Sequence, residues 1–301
     1  MNQAKLNWQS KTVLLLVLPF AAASVVLQAH WWATQIPAVA LWSLGLSLLL
    51  GLVVLQVRAA TPAGAFAGTV ITASLMFSTA VFPYEPWRTA MVPVLAVSLL
   101  AWGATRLGRR QKERLGTAEK RQGRAASQVA ANLGVAALVS DTYVQSLLID
   151  THWFSSGGIG PIQLFAPMLA ALSEAAADTV SSEIGQVLGG RPRMITTLKE
   201  AEPGTDGAVS LVGTLAGVLA AAIVSALGTF ALRLDRSFLE LDLFWISFGG
   251  GAFGLLFDSL LGATLERRGW LNNDGVNFLS TASAAGFALG VMAILPHPGV
   301  G

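Results

Sequence analysis

Nine apolar segments, each long enough to cross a lipid bilayer, constrain the fold of this chain more than any other feature. A helix needs about 20 apolar residues to span the hydrocarbon core of a membrane. The segments run, within several residues at each end, over 12–29, 36–57, 63–82, 89–105, 125–149, 160–184, 207–232, 243–264 and 276–295. Only 12% of the 301 residues are charged, whereas a soluble domain carries about 25%. The sequence predicts an all-α, polytopic integral membrane helical bundle with about nine transmembrane helices.

Lysine and arginine are unevenly distributed between the segments. If the N-terminus is cytosolic, all but three of the 19 Lys and Arg residues fall on the cytosolic side, and only Arg88, Arg233 and Arg236 fall outside. Because cytosolic loops of membrane proteins carry an excess of positive charge, this bias predicts a cytosolic N-terminus and an external C-terminus. The expected location is the inner (plasma) membrane of a bacterium. The chain has no cysteine, which excludes disulfides and thiolate metal sites.

A basic stretch at 106–124 divides the chain. Residues 1–105 are predicted to form a four-span scaffold, because few polar residues interrupt their apolar segments. Residues 125–301 are predicted to form a five-span catalytic part with motif loops at 185–207 and 265–277. The basic stretch itself is expected to be a cytosolic linker that contacts anionic lipid headgroups. No nucleic acid partner is expected, and the sequence does not define an oligomeric state.

The segment 172–185 places three carboxylates inside an otherwise apolar span. A carboxylate at the centre of a bilayer costs about 2.5–3.5 kcal/mol on insertion scales, so it marks a candidate functional site. Asp178 is expected about 10 Å from the cytosolic end of its span, and Asp258 about 12 Å from the end of another. Ser182 shares a helical stripe with Asp178, Ser259 lies at the edge of the Asp258 stripe, and Glu183 points away. Two carboxylates from different helices suit Mg²⁺; the alternative is that they pair with basic residues or with each other to lock the bundle.

Polar residues on two further spans are expected at the same depth. Asn132 follows Gln128 by one helical turn on span five, and Asn277 begins span nine together with Ser280 and Thr281. Four helices are therefore predicted to present polar groups in one slab that is open to the cytosol.

The two motif loops add candidate phosphate ligands. The first combines cations and hydroxyls with a glycine-rich turn predicted to open span seven, where backbone N–H groups would bind phosphate oxygens. The alternative is a plain turn with Thr205 or Asp206 as the helix N-cap. The second loop is dense in amide and carboxylate oxygens, although Arg268 could instead snorkel to the headgroups. The residues concerned are Arg191, Arg193, Thr197, Lys199, Gly204, Thr205, Asp206 and Gly207 in the first loop, and Arg268, Asn272, Asn273, Asp274 and Asn277 in the second.

Several of these motifs, in this order, resemble a known family. The motifs are Ala177-Asp-Thr-Val-Ser-Ser-Glu-Ile-Gly185, Arg191-Pro-Arg-Met-Ile-Thr-Thr197, Pro203-Gly-Thr-Asp-Gly-Ala-Val-Ser-Leu-Val-Gly-Thr214, Asp258-Ser-Leu-Leu-Gly-Ala-Thr264 and Leu271-Asn-Asn-Asp-Gly-Val-Asn-Phe278. They look like the multi-span membrane family that contains chloroplast phytyl-phosphate kinase. The resemblance implies phosphoryl transfer from a nucleoside triphosphate to an isoprenyl monophosphate, giving the diphosphate. A looser similarity to CTP-using membrane enzymes makes CTP a candidate donor.

Physical reasoning and the resemblance together lead to one assignment of roles. Asp178 and Asp258 are expected to hold Mg²⁺ and, with Lys199, to form the catalytic group. Nucleotide phosphates are assigned to Arg191, Arg193, Thr197, Gly204, Thr205, Asp206, Gly207 and Arg268. The acceptor phosphate or the metal shell is assigned to Asn132, Ser182, Glu183, Ser259, Asn272, Asn273, Asp274 and Asn277. The expected partners are a nucleoside triphosphate, an isoprenyl monophosphate lipid and the membrane lipids.

Two other functions remain open at this point. A transporter or flippase of prenyl-phosphate lipids would use the same polar groups to hold a headgroup, and the acids Asp141 and Asp150 in the outer half of the membrane favour it. A lipid cytidylyltransferase would release pyrophosphate rather than a nucleoside diphosphate.

Overall fold

The computed structural model describes residues 7–118, 122–150, 163–233 and 241–294. Helices dominate these residues, and the predicted all-α class is confirmed. The helices are α1 Asn7–Gln35, α2 Pro37–Gln56, α3 Pro62–Ser78, α4 Met91–Arg106, α5 Arg109–Leu115, α6 Ala126–Ser140, α7 Thr142–Asp150, α8 Ala166–Leu188, α9 Leu211–Leu232, α10 Leu241–Leu261 and α11 Asn273–Ile294. A 3-10 turn at Gln163–Phe165 precedes α8, and a π-helical turn at Gly262–Glu266 extends α10. Two short strands, β1 Arg193–Met194 and β2 Ala208–Val209, pair antiparallel.

Some predicted features lie outside the described residues. They are the part of the basic linker at 119–121, the turn between the fifth and sixth predicted spans at 151–162, Arg236, and residues 295–301 at the predicted external C-terminus. Asp150 ends α7, but its side chain also lies outside them.

The nine predicted spans are not all long apolar helices. Within the described residues, five helices are long and apolar enough to cross a membrane: α1, α2, α9, α10 with its π turn, and α11. A sixth arises if α4 and α5, which meet at an angle of 66°, are counted together. Helices α3 and α6 have 17 and 15 residues, and such helices are shorter than the roughly 20 residues that the hydrocarbon core requires. Helix α8 has 23 residues but three carboxylates.

The predicted span 125–149 was wrong as a single helix. It is divided at Asp141, whose backbone is extended (φ −62°, ψ 135°). Its carboxylate accepts hydrogen bonds from the Tyr143 backbone N–H at 3.0 Å, at the start of α7, and from the Ser24 hydroxyl of α1 at 2.7 Å. Capping of this kind satisfies N–H groups at a helix start, so Asp141 has a structural role.

The basic linker contains the short helix α5, which packs on the end of α8. Lys112 is fully buried there. Its ammonium group lies 2.5 Å from the Glu183 carboxylate and donates to the Ala104 carbonyl at the end of α4 at 2.8 Å. Part of the predicted headgroup anchor is therefore a folded element that joins α4 to α8, because a buried cation requires such partners.

Helix α8 lies at the centre of the bundle and packs against α4, α6, α9, α10 and α11. Every residue from Ala166 to Ala177 is buried. Small side chains allow neighbouring helices to approach closely. At Gly217 of α9, an added Cβ would lie 2.7 Å from the Ala177 carbonyl oxygen. The acids of α8 therefore face protein.

The two ends of the bundle can be distinguished by their contacts. At one end, Gln9 of α1 donates to the Trp270 carbonyl and accepts from the Asn272 N–H, both at 2.8 Å. At the other end, Arg88 donates to the Arg233 carbonyl. This arrangement agrees with the prediction that the N-terminus and the second motif loop lie on one side of the membrane. It also agrees with the prediction that Arg88 and Arg233 lie together on the other side. The orientation of the bundle in the membrane, and the division into scaffold and catalytic parts, stay predictions.

Candidate functional site

A polar cavity of about 260 Å³ opens at the end of the bundle that holds the start of α11. It is lined by α6, α8, α10, α11, the π turn and residues 203–210. These include the four helices on which the sequence places polar residues at one depth. The predicted site residues that line it are Asn132, Asp178, Ser182, Glu183, Gly204, Thr205, Asp206, Gly207, Asp258, Ser259, Asn273 and Asn277.

Two carboxylates from different helices meet in this polar cavity. Asp178 of α8 and Asp258 of α10 are close enough to interact directly. The Ser182 hydroxyl, one turn after Asp178, lies 3.4 Å from an Asp178 oxygen. One Asp258 oxygen is buried without a hydrogen-bond partner among the described residues. Burial of an unpaired acceptor is unfavourable, so this oxygen is available to a ligand in the polar cavity.

A third acid lies beneath this pair. Glu174, one turn before Asp178 on α8, is 1% exposed and also has a buried oxygen without a partner among the described residues. Gly254 of α10 allows this approach, because an added Cβ there would lie 2.5 Å from the Glu174 Cγ. Glu266 contributes a further carboxylate at the rim of the polar cavity.

Neither Asp178 nor Asp258 has a Lys or Arg within ion-pair distance among the described residues, whereas Glu183 pairs with Lys112. Among the described residues, the ion pairs within 4.0 Å are Arg109–Glu113, Lys112–Glu183 and Arg191–Glu200. Arg124 is the sole Lys or Arg lining the cavity in the described ranges. Its guanidinium donates to the Thr179 hydroxyl at 3.2 Å and acts electrostatically on Asp178. The alternative in which these acids pair with basic residues therefore loses its support, whereas contact between Asp178 and Asp258, the other form of that alternative, stays open.

The residues present fit a hard divalent cation bound by few protein ligands. In the described part of the chain, no group of three His, Cys, Asp or Glu side chains is arranged to hold a metal. Mg²⁺ differs from most metals in this respect, because it is commonly held by one or two carboxylates and completes its shell with water and phosphate. Asp178 and Asp258, with the unpartnered Asp258 oxygen, meet that requirement.

The glycine-rich turn of the first motif loop lies against the π turn of α10. Gly207 has φ +73°, and an added Cβ would lie 2.2 Å from the Ala263 backbone nitrogen. Only glycine combines this left-handed backbone with such close contact. Partial burial raises the pKa of the neighbouring Asp206 above its ordinary value, and the Arg267 guanidinium opposes that rise.

The helix of predicted span seven starts within the stated margin, but the glycine-rich turn does not form its N-terminus. Helix α9 begins at Leu211, and its N-cap is Ser210, whose hydroxyl accepts from the Gly213 N–H at 3.1 Å. Neither Thr205 nor Asp206 caps the helix. The turn 203–207 therefore offers its own backbone to the polar cavity rather than the N–H groups of a helix end.

The structure does not bring the predicted cations of the loops into the polar cavity. Arg191, Arg193, Thr197 and Lys199 are exposed on the β1 side of the first loop, and Arg191 pairs with Glu200 at 3.2 Å. Arg268 is exposed and lies over the Trp270 ring, with 5.9 Å between the guanidinium carbon and the ring centroid.

The predicted amide residues divide into two groups. Asn132 and Asn277 line the polar cavity, with 3.5 Å between the Asn277 amide nitrogen and the Asn132 amide oxygen. Asn273, at the start of α11, also lines it. Asn272 instead caps α11 by accepting from the Gly275 N–H at 2.8 Å, and it donates to Ser10 of α1. Asp274 is buried in the first turn of α11 and does not line the cavity. Glu183 lines it, but its carboxylate is held by Lys112.

Sequence reasoning missed Arg124 and Glu266 as site residues. Arg124 ends the basic stretch, and nothing in its neighbours separates it from the other cations there. Its signal is its position two residues before the start of α6, the helix that carries Gln128 and Asn132. Glu266 follows Asp258 by two turns on the same helical stripe, and that spacing could have identified it.

The fold and the site define a polytopic integral membrane protein with a carboxylate-lined polar cavity at one end of its helical bundle. The model of the family described as integral membrane protein DUF92 matches residues 45–285, and the chain belongs to this family.

Relatives in three kinds of organism confirm the predicted family. An uncharacterized membrane protein of the cyanobacterium Synechocystis is 34% identical over 217 residues, which are 69% of this chain and 75% of that protein. An uncharacterized membrane protein of the archaeon Methanocaldococcus jannaschii is 42% identical over 113 residues, 38% of this chain and 45% of that protein. The chloroplastic protein VTE6 of Arabidopsis thaliana is 30% identical over 191 residues, 62% of this chain and 54% of VTE6. No solved structure matches the chain significantly.

Proposed function

We propose that this protein is a membrane-embedded phosphotransferase that moves the terminal phosphoryl group of a nucleoside triphosphate, with CTP as a candidate, to an isoprenyl monophosphate such as phytyl phosphate. Its support is the meeting of Asp178 and Asp258 with the backbone of residues 204–207 in one polar cavity. The resemblance of the sequence motifs to the family that contains chloroplast phytyl-phosphate kinase directs the proposal to prenyl-lipid metabolism, and the similarity to the chloroplastic protein VTE6 agrees with it.

The acceptor chemistry suits a site without a strong general base. A phosphate monoester has a second pKa near 6, so its oxygen is already a nucleophile at neutral pH. That oxygen forms a bond to the terminal phosphorus of the donor, the bond from this phosphorus to its bridging oxygen breaks, and the nucleoside diphosphate leaves with the electron pair. Catalysis of this step depends on alignment and on neutralisation of charge.

The side chains of the polar cavity divide these tasks. Asp178 and Asp258 would hold Mg²⁺, which supplies positive charge to the phosphate oxygens when bound. Arg124 is placed to neutralise phosphate charge beside the carboxylates. The Gly204 and Gly207 backbone lines the donor side, and Asn132, Asn273 and Asn277 offer amide groups to the acceptor phosphate.

The transporter alternative has lost one of the two features that favoured it, Asp141. Asp141 accepts hydrogen bonds from Ser24 and from the α7 backbone, which explains its presence without ion coupling. The Asp150 side chain lies outside the described residues. The carboxylates of the polar cavity lie at one end of the bundle, whereas alternating access requires a binding site that can open to both sides.

Product analysis tests the proposal. Purified protein in detergent is incubated with Mg²⁺, each of the four nucleoside triphosphates in turn and phytyl monophosphate, and the products are identified by mass. We expect phytyl diphosphate and the nucleoside diphosphate in equal amounts. A nucleotidyl lipid with pyrophosphate would assign the protein to cytidylyl transfer, and movement of phytyl phosphate across liposomes without any nucleotide consumption would assign it to transport.

A further inference from the structure

A second cavity, larger than the polar one and mainly apolar, lies between α2 and α4. Its volume is about 360 Å³. Helix α2 packs on α1 and α3, and α4 packs on α8 and α9, so a cleft remains between the two. We call this the apolar cleft, and its lining includes Leu50, Val54, Val94, Val97, Trp102 and Leu133.

Small residues of α3 leave space on one side of the apolar cleft. On α3, Gly64, Ala65 and Gly68 face it, and the deepest wall is formed by α6 and by Ala175 of α8. An added Cβ at Gly68 would meet only the Val129 side chain, at 3.7 Å. The space over Gly68 is therefore free for an apolar chain, and a larger side chain there would enter the cleft.

One end of the apolar cleft is strongly basic. Arg58, Arg106, Arg109 and Arg124 line this mouth, and Arg109 pairs with Glu113, the single acid among the lining residues, at 3.2 Å. Arg106 is held in place by the Val57 carbonyl at 2.9 Å and lies over the Trp102 ring at 4.4 Å. Because arginine binds phosphate through two parallel hydrogen bonds, such a mouth is suited to a phosphate headgroup.

The apolar cleft and the polar cavity meet at two residues. Arg124 and Asn132 line both of them. A phosphate held at the basic mouth of the cleft would therefore lie against Arg124, which also lines the cavity that contains Asp178.

We propose that the apolar cleft binds the tail of the isoprenyl monophosphate, and that Arg58, Arg106 and Arg109 receive its phosphate and pass it to Arg124 in the polar cavity. This inference rests on the proposed function and adds the acceptor subsite. The basic stretch then contributes to substrate recognition, because Arg106, Arg109 and Arg124 belong to it.

A single-chain prenyl phosphate fits these features better than a bilayer phospholipid. The cleft is one channel between two helices, whereas a phospholipid has two acyl chains. Arg124 and Asn132 line both the apolar cleft and the polar cavity of the carboxylates. This position suits a lipid whose phosphate takes part in the reaction. Bilayer phospholipid is kept as the competing occupant in the test.

Photolabelling of the wild-type protein in detergent tests the location directly. The probe is phytyl monophosphate with a diazirine at the end of its tail, and labelled peptides are identified by mass. We expect label on α2, α3, α4 or α6 or at Ala175 of α8, and loss of that label with excess phytyl monophosphate but not with phosphatidylglycerol vesicles. Label elsewhere, or equal loss with phosphatidylglycerol, would overturn the inference.

Two matched variants measure affinity. Gly68→Trp fills the apolar cleft and is expected to weaken probe binding about tenfold or more, whereas Gly45→Trp, at an exposed α2 glycine with open space around it, leaves binding unchanged. Arg106→Gln is expected to weaken binding about tenfold, the scale of one charge-assisted hydrogen bond. Unchanged binding in both Gly68→Trp and Arg106→Gln would contradict the inference.

The results separate the inference from the proposed function. Label in the cleft without phosphoryl transfer to phytyl monophosphate supports the binding subsite and contradicts the kinase. Phosphoryl transfer with label outside the cleft supports the kinase and overturns the subsite.

Discussion

Asp178 and Asp258 face each other inside the bundle, and no Lys or Arg lies within ion-pair distance of either among the described residues. Two neighbouring carboxylates repel each other, and burial adds a cost for each charge. The proposed divalent cation would offset this cost.

Replacing Asp178 or Asp258 with asparagine distinguishes a metal-binding role of these acids from a structural role. Asp178→Asn and Asp258→Asn are each expected to abolish Mg²⁺-dependent transfer, while the melting temperature stays the same or rises because a buried charge is removed. Thermal unfolding followed with and without Mg²⁺ measures this. Active variants with a lowered melting temperature would contradict the metal assignment, because removing a structural partner costs about 3–5 kcal/mol.

Arg124 and Lys199 give a second test at this scale. Because Arg124 lines the polar cavity and Lys199 lies exposed outside it, Arg124→Gln is expected to lower kcat/KM about a hundredfold, on the scale of a lost charge contact in the transition state. Lys199→Gln is the matched control and should stay within about threefold of the wild type, a difference of under 1 kcal/mol. Steady-state kinetics with varied nucleotide checks this, and the reverse ranking would restore the role predicted for Lys199.

At the residue scale, helical spacing identified the acids of the site but not the contacts that surround them. Asp178 and Ser182 share one stripe, and the structure places both in the polar cavity. Asn272 shows the limit of such reasoning. Its amide resembles that of Asn273 in sequence, yet it caps α11 and holds α1, and a contact with residue 10 cannot be inferred from local spacing.

At the element scale, the turn 203–207 depends on its contact with the π turn of α10. Gly207→Ala adds a Cβ that would lie 2.2 Å from the Ala263 nitrogen, so the turn has to move away from the polar cavity. We expect nucleotide binding to weaken about tenfold or more, as measured by titration with a non-hydrolysable nucleotide.

Gly190→Ala is the matched control for that variant. Gly190 also has a positive φ, +65°, but an added Cβ there meets nothing within 4 Å. The Gly190→Ala variant therefore carries the same backbone strain, roughly 1 kcal/mol, but no steric clash. Equal loss of nucleotide binding in the two variants would show that strain, rather than displacement of the turn, is responsible.

Hydropathy predicted the apolar elements well and their interruptions poorly. The break at Asp141 and the late start of α9 at Leu211 depend on hydrogen bonds to Ser24 and within the Ser210 cap. Helix α5 was missed because a basic stretch indicates a solvated surface, whereas Lys112 is buried through its contact with Glu183, distant in sequence.

At the scale of the whole molecule, the contacts fix which ends of the helices lie together but not which end faces the cytosol. The uneven distribution of Lys and Arg predicts that Lys199 and Arg268 are cytosolic and that Trp87 and Arg236 are external. The natural absence of cysteine permits a direct test. In intact cells, an impermeant thiol reagent should label Trp87→Cys and Arg236→Cys and spare Lys199→Cys and Arg268→Cys; external labelling at position 199 would invert the topology.

The most direct test of the central claim is transfer of label from a nucleoside triphosphate labelled in its terminal phosphate to phytyl monophosphate. We expect the wild-type protein to place the label in phytyl diphosphate only when Mg²⁺ is present, and Asp178→Asn and Asp258→Asn proteins to place none there. Absence of labelled phytyl diphosphate with every nucleotide, from folded wild-type protein that binds phytyl monophosphate, would contradict the account.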